Sequence, residues 1–154
     1  MTAKLVFDGT ATTCIATTAT IATTNFTVDS TNATITQFDN STDLWPFARC
    51  TLSIVDTFSA AAPTDGSSID LYMCRDDIDG TLDETAPTTT DQKGATYMGS
   101  FRLYATDENQ PKELSISLSG VKKCRFFLKN ESDVTMDYSA GNTLKVEGYS
   151  IQDV

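Results

Sequence analysis

The sequence predicts an all-β fold, an antiparallel β-sandwich or jelly roll with an extended Thr-rich N-terminal segment. Three observations lead there. Apolar residues recur at every second position in one short run after another, the period of a strand with one buried face. Polar turn signals rich in Gly, Pro, Asn and Asp separate those runs. No run shows the spacing of three and four residues that marks an amphipathic helix.

Taken in chain order, the first forty residues stand apart. Thr and Ala dominate from Thr10 to Thr36, and the apolar residues are isolated, at Cys14, Ile15, Ile21, Phe26, Val28, Ile35 and Phe38. Threonine suits a pleated backbone because its branched carbon is stiff in that conformation, yet it brings little core-filling volume. Residues 1–42 are therefore expected either as outer strands of the sandwich or as an arm that gains burial from another subunit, and 43–154 as the sandwich core, one domain overall. The core strands follow. Cys50, Leu52 and Ile54 face one way and Thr51 and Ser53 the other; Ile69, Leu71 and Met73 alternate with Asp70 and Tyr72. Phe101, Leu103 and Ala105 repeat the pattern, and Leu114, Ile116 and Leu118 do so between Ser115, Ser117 and Ser119. Cys124, Phe126 and Leu128 point inward in KKCRFFLKN, then Leu144 and Val146, with the phase changing at Gly148 before Tyr149 and Ile151. A glycine at such a change predicts a bulge or bend. Turns are expected at Pro63-Thr64-Asp65-Gly66, Asp79-Gly80, Asn109-Gln110-Pro111, Asn130-Glu131-Ser132-Asp133 and Ala140-Gly141-Asn142.

Composition narrows the functional classes. With 154 residues, 40% of them apolar and 21% charged, the chain is long enough for one core and unlike a disordered segment. A net charge of -10, with basic residues scattered apart from Lys122-Lys123, repels nucleic-acid phosphates and anionic lipid, so neither nucleic acid nor membrane is an expected partner. There is no histidine, which removes imidazole bases, His-ligated metals and His pH switches. The four cysteines, Cys14, Cys50, Cys74 and Cys124, lie too far apart for a C-x-x-C or metal-ligand pattern and are expected to be reduced and structural. MTAKLVFDGT does not read as an export signal, so folding in a cytoplasm is expected, and the N-x-S/T triplets at Asn25, Asn32, Asn40 and Asn130 are expected to carry no glycan.

Three places offer candidate chemistry. In CRDDIDGTLDETAP the oxygens of Asp76, Asp77, Asp79, Asp83 and Glu84 are numerous enough for calcium. The EF-hand register fails, however, with Arg75 at the first ligand position and Ala86 at the last, and the expectation is a solvated hairpin loop turning at Asp-Gly. Paired carboxylates for glycoside hydrolysis have no recognisable context, and the glycines are too dispersed to cradle phosphate. Trp45, the only tryptophan, with Pro46 and Phe47 at the mouth of a strand, reads either as a platform for sugar rings or as a plug closing the end of the core. No catalytic, cofactor-binding or metal residue is assigned, no cofactor is expected, and the chain is not expected to be an enzyme.

LWPFARCTLSIV, the turn and strand SAAAPTDGSSIDLYM, GSFRLYA, LSGVKKCRFFLKNESD and AGNTLKVEGYSI, in that order, resemble a family of small virion proteins of tailed bacteriophages. The shared plan is an aromatic-Pro entry into the first core strand, an Ala-Pro-Thr-x-Gly turn before Asp-Leu-Tyr, and a late Lys-Phe-x-Leu-Lys-Asn-type strand followed by Gly-Asn-Thr-Leu-Lys. It covers about residues 43–151 and brings no catalytic residue. The resemblance implies a β-sandwich building block assembled in the host cytoplasm, a capsid decoration or cement protein whose partners are the major capsid protein or other virion proteins. A homo-oligomer is expected as well, because flat Thr-rich strands need covering. The alternatives are a tail, connector or fibre component, and a carbohydrate-binding adhesin module.

Overall fold

The computed structural model describes residues 3–7, 10–54, 62–76, 83–104, 111–136 and 141–153. They form ten strands, and no helix occurs among them: β1 Ala3–Phe7, β2 Thr12–Thr17, β3 Ala33–Ile35, β4 Phe38–Asp39, β5 Phe47–Ser53, β6 Ser68–Arg75, β7 Thr96–Arg102, β8 Pro111–Ser117, β9 Lys123–Asn130 and β10 Thr143–Asp153. All pair antiparallel in two sheets, a β-sandwich. The six-stranded sheet runs β3-β2-β10-β5-β8, with β1 also on β10, and the four-stranded sheet runs β4-β9-β6-β7.

The alternation read from the sequence becomes the facing of the sheets. Cys50, Leu52, Leu144 and Val146 from one sheet and Ile69, Leu71, Phe126 and Leu128 from the other are all within 1% of complete burial and join a single core. Leu114 closes one side of the sandwich. A Cβ on Gly99 of β7, at φ 147°, would lie 2.8 Å from its Cδ2, so the glycine lets the two sheets meet there.

The Thr-rich segment does not extend from the body as an arm. β2 lies on β10, β3 on β2 and β4 on β9, while Ile21 bridges to Met136 and Phe26 to Lys129. Cys14, Ile15, Ile21, Ala33 and Phe38 enter the same core as the later strands, so residues before and after position 42 share one interior. Phe26 goes elsewhere. It packs on the outer side of the four-stranded sheet with Tyr72, Cys74, Ala95 and Phe127, in a second small core. That explains why Tyr72 and Cys74, on the polar phase of β6, are nonetheless buried.

Two local expectations change. β10 keeps continuous register with β5 from Thr143 to Tyr149, so Gly148 is not a bulge; the one irregularity in β10 falls at Leu144/Lys145, against β2. Pro111 opens β8 instead of sitting in the turn before it, at a strand start where its missing N–H breaks no inner ladder bond. The Asp79-Gly80 turn, Ala105, Asn109, Gln110 and Ala140 lie outside the described residues.

Candidate interaction surface

β10 carries two apolar phases. Up to Gly148 its apolar side chains point into the core; from Tyr149 onward they point to the outer face of the sheet. There Phe7, Tyr149 and Phe47 stand side by side on β1, β10 and β5, with Tyr149 in register with both neighbours. Ring centroids are 5.4 Å apart for Phe7–Tyr149 and 5.5 Å for the stacked Phe47–Tyr149 pair. The Arg49 guanidinium lies 4.4 Å from the Phe7 centroid and bonds Glu147 at 2.6 Å, so one side chain roofs a ring and pairs a carboxylate. Tyr149 is only 8% exposed beneath these neighbours.

Past Tyr149 the cover ends. β5 stops at Phe47, and among the described residues 150–153 of β10 pair only with β1. The two strands run on as a ribbon, with Leu5 opposite Ile151 on the face that carries Phe7 and Tyr149. Leu5 is 53% exposed and Ile151 52%.

Trp45, Pro46 and Phe47 are not brought together as a platform. Phe47 belongs to the outer stack, whereas Trp45 lies on the core side, where a Cβ on Gly148 would come within 2.4 Å of Trp45 Cδ1. Gly148 is thus a site of close ring approach, and Trp45, half-buried and outside the core clusters, packs against β10 at that end of the sandwich. Asn40 shapes this end: its Oδ1 accepts from Trp45 N at 2.8 Å, and its Nδ2 donates to the carbonyls of Trp45 and Val121, each at 3.0 Å. Beside it a cavity of about 230 Å³ is lined by Asn40, Leu44, Leu118, Gly120, Val121 and Lys122. Its walls are mostly apolar, the Asn40 amide is spent on backbone, and it is smaller than most small-molecule sites.

In the described part of the acidic run the carboxylates of Asp76 and Glu84 are taken up by the protein's own groups. Arg125 grips Asp76 with Nε at 2.9 and 2.8 Å from the two carboxylate oxygens and a second nitrogen at 2.7 Å, and Gln37 donates to the same carboxylate at 3.0 Å. The hydrogen bonds to Asp76 raise the pKa of Arg125. At 5% exposure the Asp76 side chain is an anchored partner, not the solvated carboxylate expected. Glu84 accepts from Arg75 N at 2.8 Å, and Asp77 and Asp79 fall outside the described residues. Among the described residues no group of His, Cys, Asp and Glu is arranged to hold a metal, and no helix is long and apolar enough to cross a membrane.

All four cysteines are buried thiols outside any disulfide. Burial pushes the thiol pKa of Cys14 up to about 12 and that of Cys74 to about 11, and raises that of Cys50 as well, so these thiols are poor nucleophiles. Three of the N-x-S/T asparagines, Asn32, Asn40 and Asn130, are buried. Asn130 donates to the carbonyls of Ile21 and Val134 while its oxygen accepts from Ser132, work that a surface sequon would not do.

Comparison with family models, with characterised proteins and with solved structures finds no match to this chain.

Proposed function

We propose that this chain is a non-enzymatic structural protein of a phage virion, a decoration or cement protein that stabilises a capsid shell through contacts between subunits. The observation that carries the reading is the β1–β10 ribbon, which runs beyond the rest of its sheet with Leu5 and Ile151 more than half exposed on one face. Neighbouring exposed apolar residues rimmed by polar surface mark protein contact sites. The motif order from LWPFARCTLSIV to AGNTLKVEGYSI supports the virion setting. In that setting a short contact gains its weight by repetition over a symmetric shell, and the net charge of -10 keeps finished particles apart.

Quantitative mass spectrometry of purified particles tests this. The expected result is a ratio near one copy per major capsid protein. A few copies per particle would move the chain to the tail or connector, and its absence from particles would overturn the reading.

A further inference from the structure

We propose that β1 is a self-pairing edge, through which two copies of the chain join their six-stranded sheets antiparallel about a two-fold axis at Leu5. This rests on the edge itself and not on the virion reading. β1 pairs with β10 along one side only, and among the described residues no strand meets its other side, which leaves a row of backbone donors and acceptors open.

The other sheet edges carry features that discourage pairing. β3 has three residues and β4 two. β8 begins with Pro111 and follows it with Lys112 and Glu113. β7 has a register break opposite Leu71/Tyr72 and sits against Leu114 of β8. β1, AKLVF, has five residues, no proline, no bulge and a single charge.

The strand is also complementary to itself. With the axis at Leu5, Ala3 lies opposite Phe7 of the second copy, Lys4 opposite Val6, and Leu5 opposite Leu5. No like charges then face each other across the pair, an arrangement that would be unfavourable. On one face the exposed Leu5 and Ile151 of each copy merge into a continuous apolar stripe that carries on into Phe7, Tyr149 and Phe47. Charge selects the same place. Two chains of net charge -10 repel at most surfaces, whereas here the one charge on the edge strand is the cation Lys4, brought into the field of an acidic partner.

The test is light scattering on the purified full chain across a concentration series, with Leu5→Arg as the variant. Leu5 is half exposed, so the variant is expected to melt like the parent. The parent should form a dimer, and Leu5→Arg should weaken it at least about tenfold in Kd. The axis is tested by mild oxidation of Leu5→Cys and Lys4→Cys. Directly opposed residues have Cβ atoms about 4.5–5.5 Å apart, close enough for a small shift to bridge them, so Leu5→Cys should give a covalent dimer and Lys4→Cys little. A monomer at every concentration, a dimer indifferent to Leu5→Arg, or equal cross-linking by the two cysteine variants would overturn the proposal.

Discussion

Each sheet bears an aromatic cluster on its outer face, and the two clusters have opposite fates. On the four-stranded sheet Phe26, Tyr72 and Phe127 are 1%, 7% and 2% exposed, because loops from distant parts of the chain cross over them. Phe26 N donates to Thr89 O and Thr27 N to Leu128 O, each at 2.8 Å, and the Thr27 hydroxyl accepts from Leu128 N at 2.9 Å. On the six-stranded sheet the cluster of Phe7, Tyr149 and Phe47 is roofed, among the described residues, by Arg49, and it opens at Leu5 and Ile151. Outward apolar residues are thus no anomaly in a sandwich. They are either covered by the chain's own loops or left for another chain to cover.

The sharpest way to break that comparison is to truncate one ring from each cluster. Phe26→Ala should cost about 3–5 kcal/mol, as for a fully buried aromatic, which at this size lowers the melting temperature by roughly 6–20 °C. Phe7→Ala, at the half-buried edge, should cost about 1 kcal/mol. Equal losses in paired thermal melts would erase the distinction between a closed face and an open one.

A smaller effect tests the point where β10 changes phase. Gly148→Ala should destabilise by about 1–3 kcal/mol, because its methyl group overlaps the Trp45 ring. In a Trp45→Ala background the same change should cost much less, with only the Cβ of residue 45, 3.0 Å away, left to meet the new methyl group, so the double-mutant cycle reads the contribution of the ring. A Trp45→Ala protein that melted like the parent would show that this packing adds nothing to stability.

The smallest effect concerns a polar tie that belongs to neither cluster. Asp133 accepts from Thr64 N at 3.0 Å, from Ser67 Oγ at 3.2 Å and from the Thr64 hydroxyl, and the hydrogen bonds from Thr64 hold its carboxyl below the usual aspartate range. A pKa lowered in the folded state adds stability above the unfolded value and loses it as pH falls through the folded one. Asp133→Asn should therefore melt slightly below the parent at neutral pH, and the gap should close as pH drops below about 4. A gap constant with pH would show that the charge contributes nothing.

The fold was legible wherever one face of a strand is buried and the other wet. Cys50, Leu52 and Ile54, or Leu114, Ile116 and Leu118, announce their facing by period alone. In β6 the inward facing of Ile69, Leu71 and Met73 was legible in the same way, but the burial of Tyr72 and Cys74 on its other face was not, because it depends on Phe26, far away in the sequence. The Thr-rich segment was visible in composition but not in destination: isolated apolar residues such as Ile21 and Phe38 fix no period, and their partners Met136 and Cys124 lie beyond local reach. At the candidate surface the phase change beyond Gly148 was the available signal. By itself that change predicts backbone irregularity, whereas here it marks an outward apolar face on a regular strand. The stack of Phe7, Phe47 and Tyr149 joins three remote segments and had no signature of its own.

β10 has a consequence for how the molecule is made. It is the common partner of β1, β2 and β5, and Ala3 pairs with Asp153. The six-stranded sheet has no centre until residues 143–153 have left the ribosome, so β1 and the β2–β3 pair wait for β10 while the residues between are made. Pairings of such separation close slowly, and the Thr-rich, weakly apolar character of β2 and β3 then acquires a second value. Segments with few adjacent large apolar side chains are the ones that can wait without aggregating.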